Sequence, residues 1–275
     1  MKECSKLKPL FVKTSGQGEP LIVLHGWGMN SAVWESVRPA LESRYRVSWI
    51  DLPGHGKNQH VVASNAVDSM DEIVDLMMPH IPDGAHLMGW SLGGLVIQAI
   101  AERLSKMGEN KIKSMTLVAS TPKFSQAGGS QQVDSWQHAM SLEVLNTFSE
   151  NLSQDTEGTL KRFIALQFMG VKDSKPIQRE LISAMQKWGG VHPESLKQGL
   201  ALLIHSDFRI ATHTIPKHWI LAERDRLIPK EVINDLKLLY PDDQITLLEN
   251  AGHAPFMTQP KAFVDCVTTF IESYV

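Results

Sequence analysis

The sequence predicts an α/β fold: a mostly parallel sheet covered by helices on both faces, with one block of helices inserted into it. Two observations carry this. Short apolar runs (PLIVLHG, AHLMGW, IKSMTLVAST, HWILAE, QITLLE) alternate with longer segments whose apolar residues recur at helical spacing. Runs that are apolar almost continuously are the mark of strands buried on both faces. The alternation then stops after Thr121-Pro122 and resumes only at HWILAE, and everything between is helical in pattern. Residues 1–121 and 215–275 are therefore expected to form the sheet-bearing core, and 122–214 an inserted helical lid.

Each element follows from its local chemistry. FVKT and PLIVLHG read as two strands around the turn-forming SGQGEP. Asn30 or Ser31 is placed to cap a helix whose apolar residues include Val33, Trp34, Val37 and Leu41. YRVSWIDLPGHG is a buried strand running into a glycine-rich loop. Residues 68–78 show helical spacing at Met70, Ile73, Val74 and Met77, with acids in the first turn and Pro79 beyond. AHLMGW is a short strand, 92–104 an apolar helix long enough to be central, and IKSMTLVAST the next strand. The helical block breaks at AGGS, GVKDSKP and WGGVHP. A strand at HWILAE, a helix from Pro229, a strand at QITLLE and a helix from Pro260 complete the chain.

Composition narrows the function. With 275 residues, 43% hydrophobic and 21% charged, the chain suits one soluble domain carrying an insertion. A formal net charge of −3 argues against nucleic acid as a partner, since such proteins normally carry a basic surplus. Cys4 and Cys266 stand at opposite ends with no CxxC pair, so neither a zinc site nor a thioredoxin-type motif is suggested; two reduced thiols fit better than a single long-range disulfide. The opening MKECSKLKPLFVKTSG is too polar for a secretory signal, and no apolar run approaches the ~18 residues of a membrane span. A cytoplasmic monomer with no membrane partner is expected. There is no HExxH, no P-loop lysine and no GxGxxG opening a helix, so neither a metal nor a cofactor is expected.

The chemistry concentrates in GWSLGG. Ser91 stands between a strand and a helix, as a nucleophile on a sharp, strained turn would. Such a turn needs small residues two before and two after the serine, and Gly89 and Gly93 supply them; Gly94 adds room for close helix–strand packing. The amide of Leu92, at the helix N-terminus, would then donate to an oxyanion. The bland alternative is a glycine-rich turn with a capping serine. A serine nucleophile needs a base, and His253 in ENAGHAPF follows the strand QITLLE, at the strand end where open α/β sheets build sites. The acid orienting it should follow another strand. Asp225 in HWILAERDRLIP does so, Glu223 is its nearest competitor, and Asp207 and Asp235 are weaker because they do not follow strands. A second oxyanion donor is expected from the amide of Trp27 in LHGWGMN, after the tight turn at Gly26, and its indole suits either the wall of an acyl pocket or the core. His25 reads as a structural hydrogen-bonding residue of that loop.

The order serine, aspartate, histidine is that of the α/β-hydrolases. The chain resembles that superfamily and, more closely, the pimeloyl-acyl-carrier-protein methyl ester esterases of biotin synthesis. The resemblance runs through LHGWGMNSAVW, DLPGHG, GWSLGG, VASTPKF, RFIALQFMG, DRLIP and AGHAPF. The serine elbow and DLPGHG are generic to the superfamily, whereas the tryptophan before the serine and RFIALQ are more specific. The resemblance implies an α/β-hydrolase fold and hydrolysis of a methyl ester at the far end of a pimeloyl chain held on acyl carrier protein. It implies Ser91 as nucleophile, Asp225 as orienting acid and His253 as base. Trp27, Leu92, Phe163, Ile164, Ala165, Leu166 and Gln167 would line or contact the substrate. Between Gly158 and Gly190 the lid carries six basic residues against two acidic ones, a surplus suited to an acidic carrier protein. Arg162, Lys175 and Arg179 fall where the family places basic carrier contacts; Gly158 stands where a further arginine would be expected. The rival readings are a general carboxylesterase acting on small-molecule esters and a non-catalytic ligand receptor on the same scaffold.

Overall fold

The computed structural model describes residues 9–63, 69–127, 135–210 and 212–275. Cys4, Asp68 and the glycine pair of AGGS lie outside the described residues.

Among the described residues seven strands form one sheet: β1 (Val12–Ser15), β2 (Pro20–Leu24), β3 (Arg46–Ile50), β4 (Ala85–Trp90), β5 (Ile112–Val118), β6 (Lys217–Ala222) and β7 (Gln244–Leu248). Their order is β1-β3-β2-β4-β5-β6-β7, and only the β1–β3 pairing is antiparallel. From β2 the chain crosses to β3 on one side, and from β3 it crosses back to β4 on the other. The crevice between the ends of β2 and β4 is therefore the topological switch point, where open parallel sheets bind ligands. Every residue of β4 and β6 is buried, so helices cover both faces.

Helices flank this sheet: α1 (Arg38–Glu42), α2 (Ser69–Met77), α3 (Leu92–Lys106), and later α8 (Val232–Leu239), α9 (Pro255–Thr258) and α10 (Pro260–Glu272). The helix expected from Asn30 through Leu41 is two pieces. Asn30 does cap, its Oδ1 accepting from the Ala32 N–H at 3.1 Å, but the 3-10 turn it starts ends at Trp34. Pro39 lacks an N–H and suits only a first turn, so α1 begins anew beside it. Similarly α8 starts at Val232, three residues after Pro229, which closes a turn by accepting from the Val232 N–H.

Between β5 and β6 lie α4 (Leu142–Gln154), α5 (Thr156–Gln167), α6 (Ser174–Trp188) and α7 (Pro193–His205). Among the described residues the helical pattern expected from residue 122 begins at Leu142, and 122–127 and 135–141 hold no helix. Isolated bridges join Ser125 to Met140 and Ala127 to Trp136 instead. The block is tied to the strand ends below it by backbone bonds, including Gly56 N–H to Gly190 O (2.8 Å) and His192 N–H to Gly54 O (2.8 Å).

Candidate active site

Ser91 occupies the single residue between β4 and α3, with φ at +53°. A non-glycine residue there carries strain of about 1–3 kcal/mol. Hydrogen bonds hold it: its N–H donates to Val118 O, and its carbonyl accepts from Gly94 N–H and Ser120 Oγ, all at 2.9 Å. The need for small neighbours is geometric. A Cβ on Gly89 would lie 2.3 Å from the carbonyl oxygen of Gly93, and one on Gly93 would lie 2.6 Å from that of His25. The strand, the helix and the β2 loop thus meet backbone to backbone around the serine.

His253 and Asp225 are brought together from the ends of β7 and β6. Nδ1 of His253 lies 2.7 Å from Asp225 Oδ2, and both side chains are buried. The other carboxylate oxygen accepts from the N–H groups of Leu227 (2.8 Å) and Ile228 (3.1 Å), which fixes the rotation of Asp225. An acceptor at Nδ1 places the ring proton there and leaves Nε2 with a lone pair. Among the described residues no protein group hydrogen-bonds that buried Nε2. Glu223, the competing acid, turns away and accepts from Asn250 N–H at 2.9 Å. Asp207 pairs with Arg209 and Lys123, and Asp235 with His138.

The amides of Leu92 and Trp27 face no protein acceptor among the described residues. The loop carrying Trp27 is fixed by His25, whose Nδ1–H donates to Gly26 O (2.8 Å) while Nε2 accepts from Leu52 N–H (2.9 Å). Burial lowers the pKa of His25, so it stays neutral and can play both parts. Beside it, Asp51 accepts four bonds: from Ser31 N–H and Oγ–H (both 2.6 Å), Lys57 N–H (2.8 Å) and the indole of Trp188 (2.7 Å). Burial works to raise the Asp51 pKa, but the donors from Ser31 and Lys57 overcome it, and the carboxyl sits below its ordinary value. Sequence reasoning passed over Asp51 and Trp188; DLPGHG was the available signal for the first.

Over Ser91 lies an apolar cavity lined by Trp27, Phe124, Met140, Val144, Leu145, Phe148, Phe163, Leu166, Leu200, Leu203 and Leu227, and among the described residues Ser91 is its one polar lining residue. The Trp27 indole donates to Leu196 O at 2.8 Å and meets the rings of Phe163 and Phe148 edge-on at 4.8 and 5.5 Å. It therefore serves as both core aromatic and cavity wall. Within RFIALQ, Phe163 and Leu166 line the cavity, Ile164 is buried elsewhere, and Ala165 is exposed. Gln167 instead supplies the carbonyl that accepts from His253 N–H at 3.0 Å. Val144 lines the cavity yet is 53% exposed, which places the mouth at the start of α4. Arg162, Lys175 and Arg179 are exposed, and Arg162 lies 3.7 Å from Asp155. Among the described residues no helix is long and apolar enough to cross a membrane, and no cluster of His, Cys, Asp or Glu could hold a metal.

Residues 21–266 match the Alpha/beta hydrolase family. The pimeloyl-acyl-carrier-protein methyl ester esterase of Photobacterium profundum is 35% identical, over 94% of this chain and 97% of that protein. The protein of the same name from Nitrosomonas europaea is 32% identical, again over 94% and 97%. Among solved structures, an esterase from Exiguobacterium antarcticum superimposes with a TM-score of 0.79 at 20% identity, covering 96% of this chain and 95% of its own. A bromoperoxidase from Bacillus anthracis gives the same score and identity over 95% and 94%.

Proposed function

The chain belongs to the alpha/beta hydrolase family and, within it, to the pimeloyl-acyl-carrier-protein methyl ester esterases, and on that premise we propose that it is a serine carboxylesterase. Its proposed substrate is the methyl ester of a pimeloyl chain carried by acyl carrier protein, cleaved to the carboxylate and methanol for biotin synthesis. The observation that carries this reading is the buried His253–Asp225 pair, 2.7 Å apart, beside an apolar cavity that Ser91 lines.

In this reading Ser91 Oγ attacks the ester carbonyl as His253 Nε2 takes its proton, and the N–H groups of Leu92 and Trp27 hold the resulting oxyanion. Collapse breaks the ester C–O bond, the proton passes from His253 to the departing methoxide, and methanol leaves an acyl-enzyme. Water then gives a proton to His253 and its oxygen to the acyl carbon, and Ser91 leaves re-protonated. Asp225 stays ionised and orients the imidazole throughout.

The cavity supports specificity for an uncharged, aliphatic acyl chain, because among the described residues no charged side chain lines it to compensate a charge along that chain. Residues 122–214 act as the lid that closes over the chain, and exposed Arg162, Lys175 and Arg179 are the proposed contacts for the acidic carrier. The enzyme would work as a cytoplasmic monomer. Methanol release from carrier-bound methyl pimeloyl thioester tests the reading. Wild-type protein should turn it over, and Ser91→Ala should lower kcat by about 10⁴-fold or more. Full activity in Ser91→Ala would refute the mechanism. Equal efficiency on free methyl pimelate would move the assignment to small-molecule esters.

A further inference from the structure

We propose that Trp90 is a positioning residue, whose indole N–H holds the backbone of the general base in register with the nucleophile. The proposal rests on the reading of Ser91 and His253 above. Trp90 ends β4, is wholly buried, and donates from Nε1 to the backbone carbonyl of His253 at 2.8 Å. Its ring lies tilted against the imidazole, centroids 5.7 Å apart, and edge-on to Phe256 at 5.1 Å.

The reason the base needs such a hold is local. His253 sits in the irregular stretch between β7 and α9, outside any strand ladder. Its N–H goes to Gln167 O, on the helical block, and its carbonyl goes to Trp90. Asp225 fixes the imidazole at Nδ1 but does not fix the main chain that carries it. Trp90 is covalently joined to Ser91, so its hydrogen bond ties base to nucleophile through one residue. A phenylalanine would keep an aromatic ring there but would supply no donor and would leave part of the space empty.

Trp34 provides the internal contrast. It is equally buried in the same aromatic cluster, 6.3 Å from Trp90 and 4.1 Å from Phe256 between ring centroids. Among the described residues its Nε1 has no hydrogen-bond partner. There the indole contributes packing alone.

The test compares Trp90→Phe with Trp34→Phe, and adds protein in which Trp90 is replaced by benzothienylalanine, an isostere lacking the N–H. Steady-state kinetics on the methyl ester are measured well below each Tm. Both Trp90 replacements should lower kcat about 10- to 100-fold with KM within about twofold, because misplacing a catalytic group by a fraction of an ångström acts on the transition state. Trp34→Phe should keep kcat within about twofold of wild type. If Trp90→Phe does not fold, the isostere decides. Wild-type kcat in the isostere, or equal losses in Trp34→Phe and Trp90→Phe, overturns the proposal. Activity surviving in Ser91→Ala would instead remove the reading beneath it, so the two failures are distinguishable.

Discussion

Replacing Asp51 by asparagine leaves the number of non-hydrogen atoms in the side chain unchanged, yet it should cost this protein about 3–5 kcal/mol. The carboxylate accepts four hydrogen bonds, two on each oxygen. The new NH2 must take the place of one oxygen. At Oδ2 it would face two obligate donors, the Lys57 N–H and the Trp188 indole. At Oδ1 it faces one obligate donor, the Ser31 N–H, and a hydroxyl that can turn round and accept. The second arrangement is cheaper and still strands a buried backbone N–H, worth about 1–3 kcal/mol. The two bonds remaining on oxygen lose their charge assistance, about 1 kcal/mol each. Urea denaturation checks this: the midpoint should fall with the m-value unchanged. Trp188→Phe, which deletes a single donor, should cost about 1–2 kcal/mol. A loss below about 1 kcal/mol in Asp51→Asn would refute the reasoning, since it would mean the four donors are satisfied without a carboxylate.

Two further outcomes follow from the same geometry. A Cβ on Gly199 would lie 2.7 Å from Cδ1 of Trp27, so Gly199→Ala must push the indole that walls the cavity and donates to Leu196 O. Overpacking of this kind should lower kcat/KM about 10-fold, and unchanged kinetics would show that the wall is not sensed by substrate. Burial lowers the pKa of His55 to about 3 and those of His86 and His218 to about 4, from an ordinary 6.5. Above that ordinary value both folded and unfolded chains hold these rings neutral. Below it the unfolded chain binds protons first, so stability falls as pH drops toward 4, by up to about 1.4 kcal/mol per pH unit for each ring. Urea midpoints should be flat near pH 7–8 and fall steeply between about pH 6 and 4; a flat profile down to about pH 5 would contradict the burial of these rings.

Much of the fold was legible because its signals are local. A strand buried on both faces is apolar at nearly every position, and AHLMGW, HWILA and the largely parallel character of the sheet are read from that. The Gly-x-Ser-x-Gly spacing is legible for a similar reason: the clash that forbids side chains at Gly89 and Gly93 arises within the turn and its adjoining loop. Where a local signal was misread, backbone chemistry intervened, as at Pro39, which divides a helix whose apolar spacing looked continuous.

What the sequence by itself determined was the alternation of elements, the strained turn at Ser91, and the placing of Asp225 and His253 after later strands. Tertiary structure decided which of two nearby acids meets the imidazole: Asp225 does, while Glu223 caps the backbone at Asn250. It also decided that Trp90 reaches a carbonyl 163 residues away and that Trp188 closes on an acid 137 residues before it. Which parts of RFIALQ face the cavity was likewise settled by how α5 sits on the strand ends. Periodicity specifies the face a helix buries, but not the partner that face meets. A hydrogen bond between distant segments exists only once packing has set both ends to within a few tenths of an ångström.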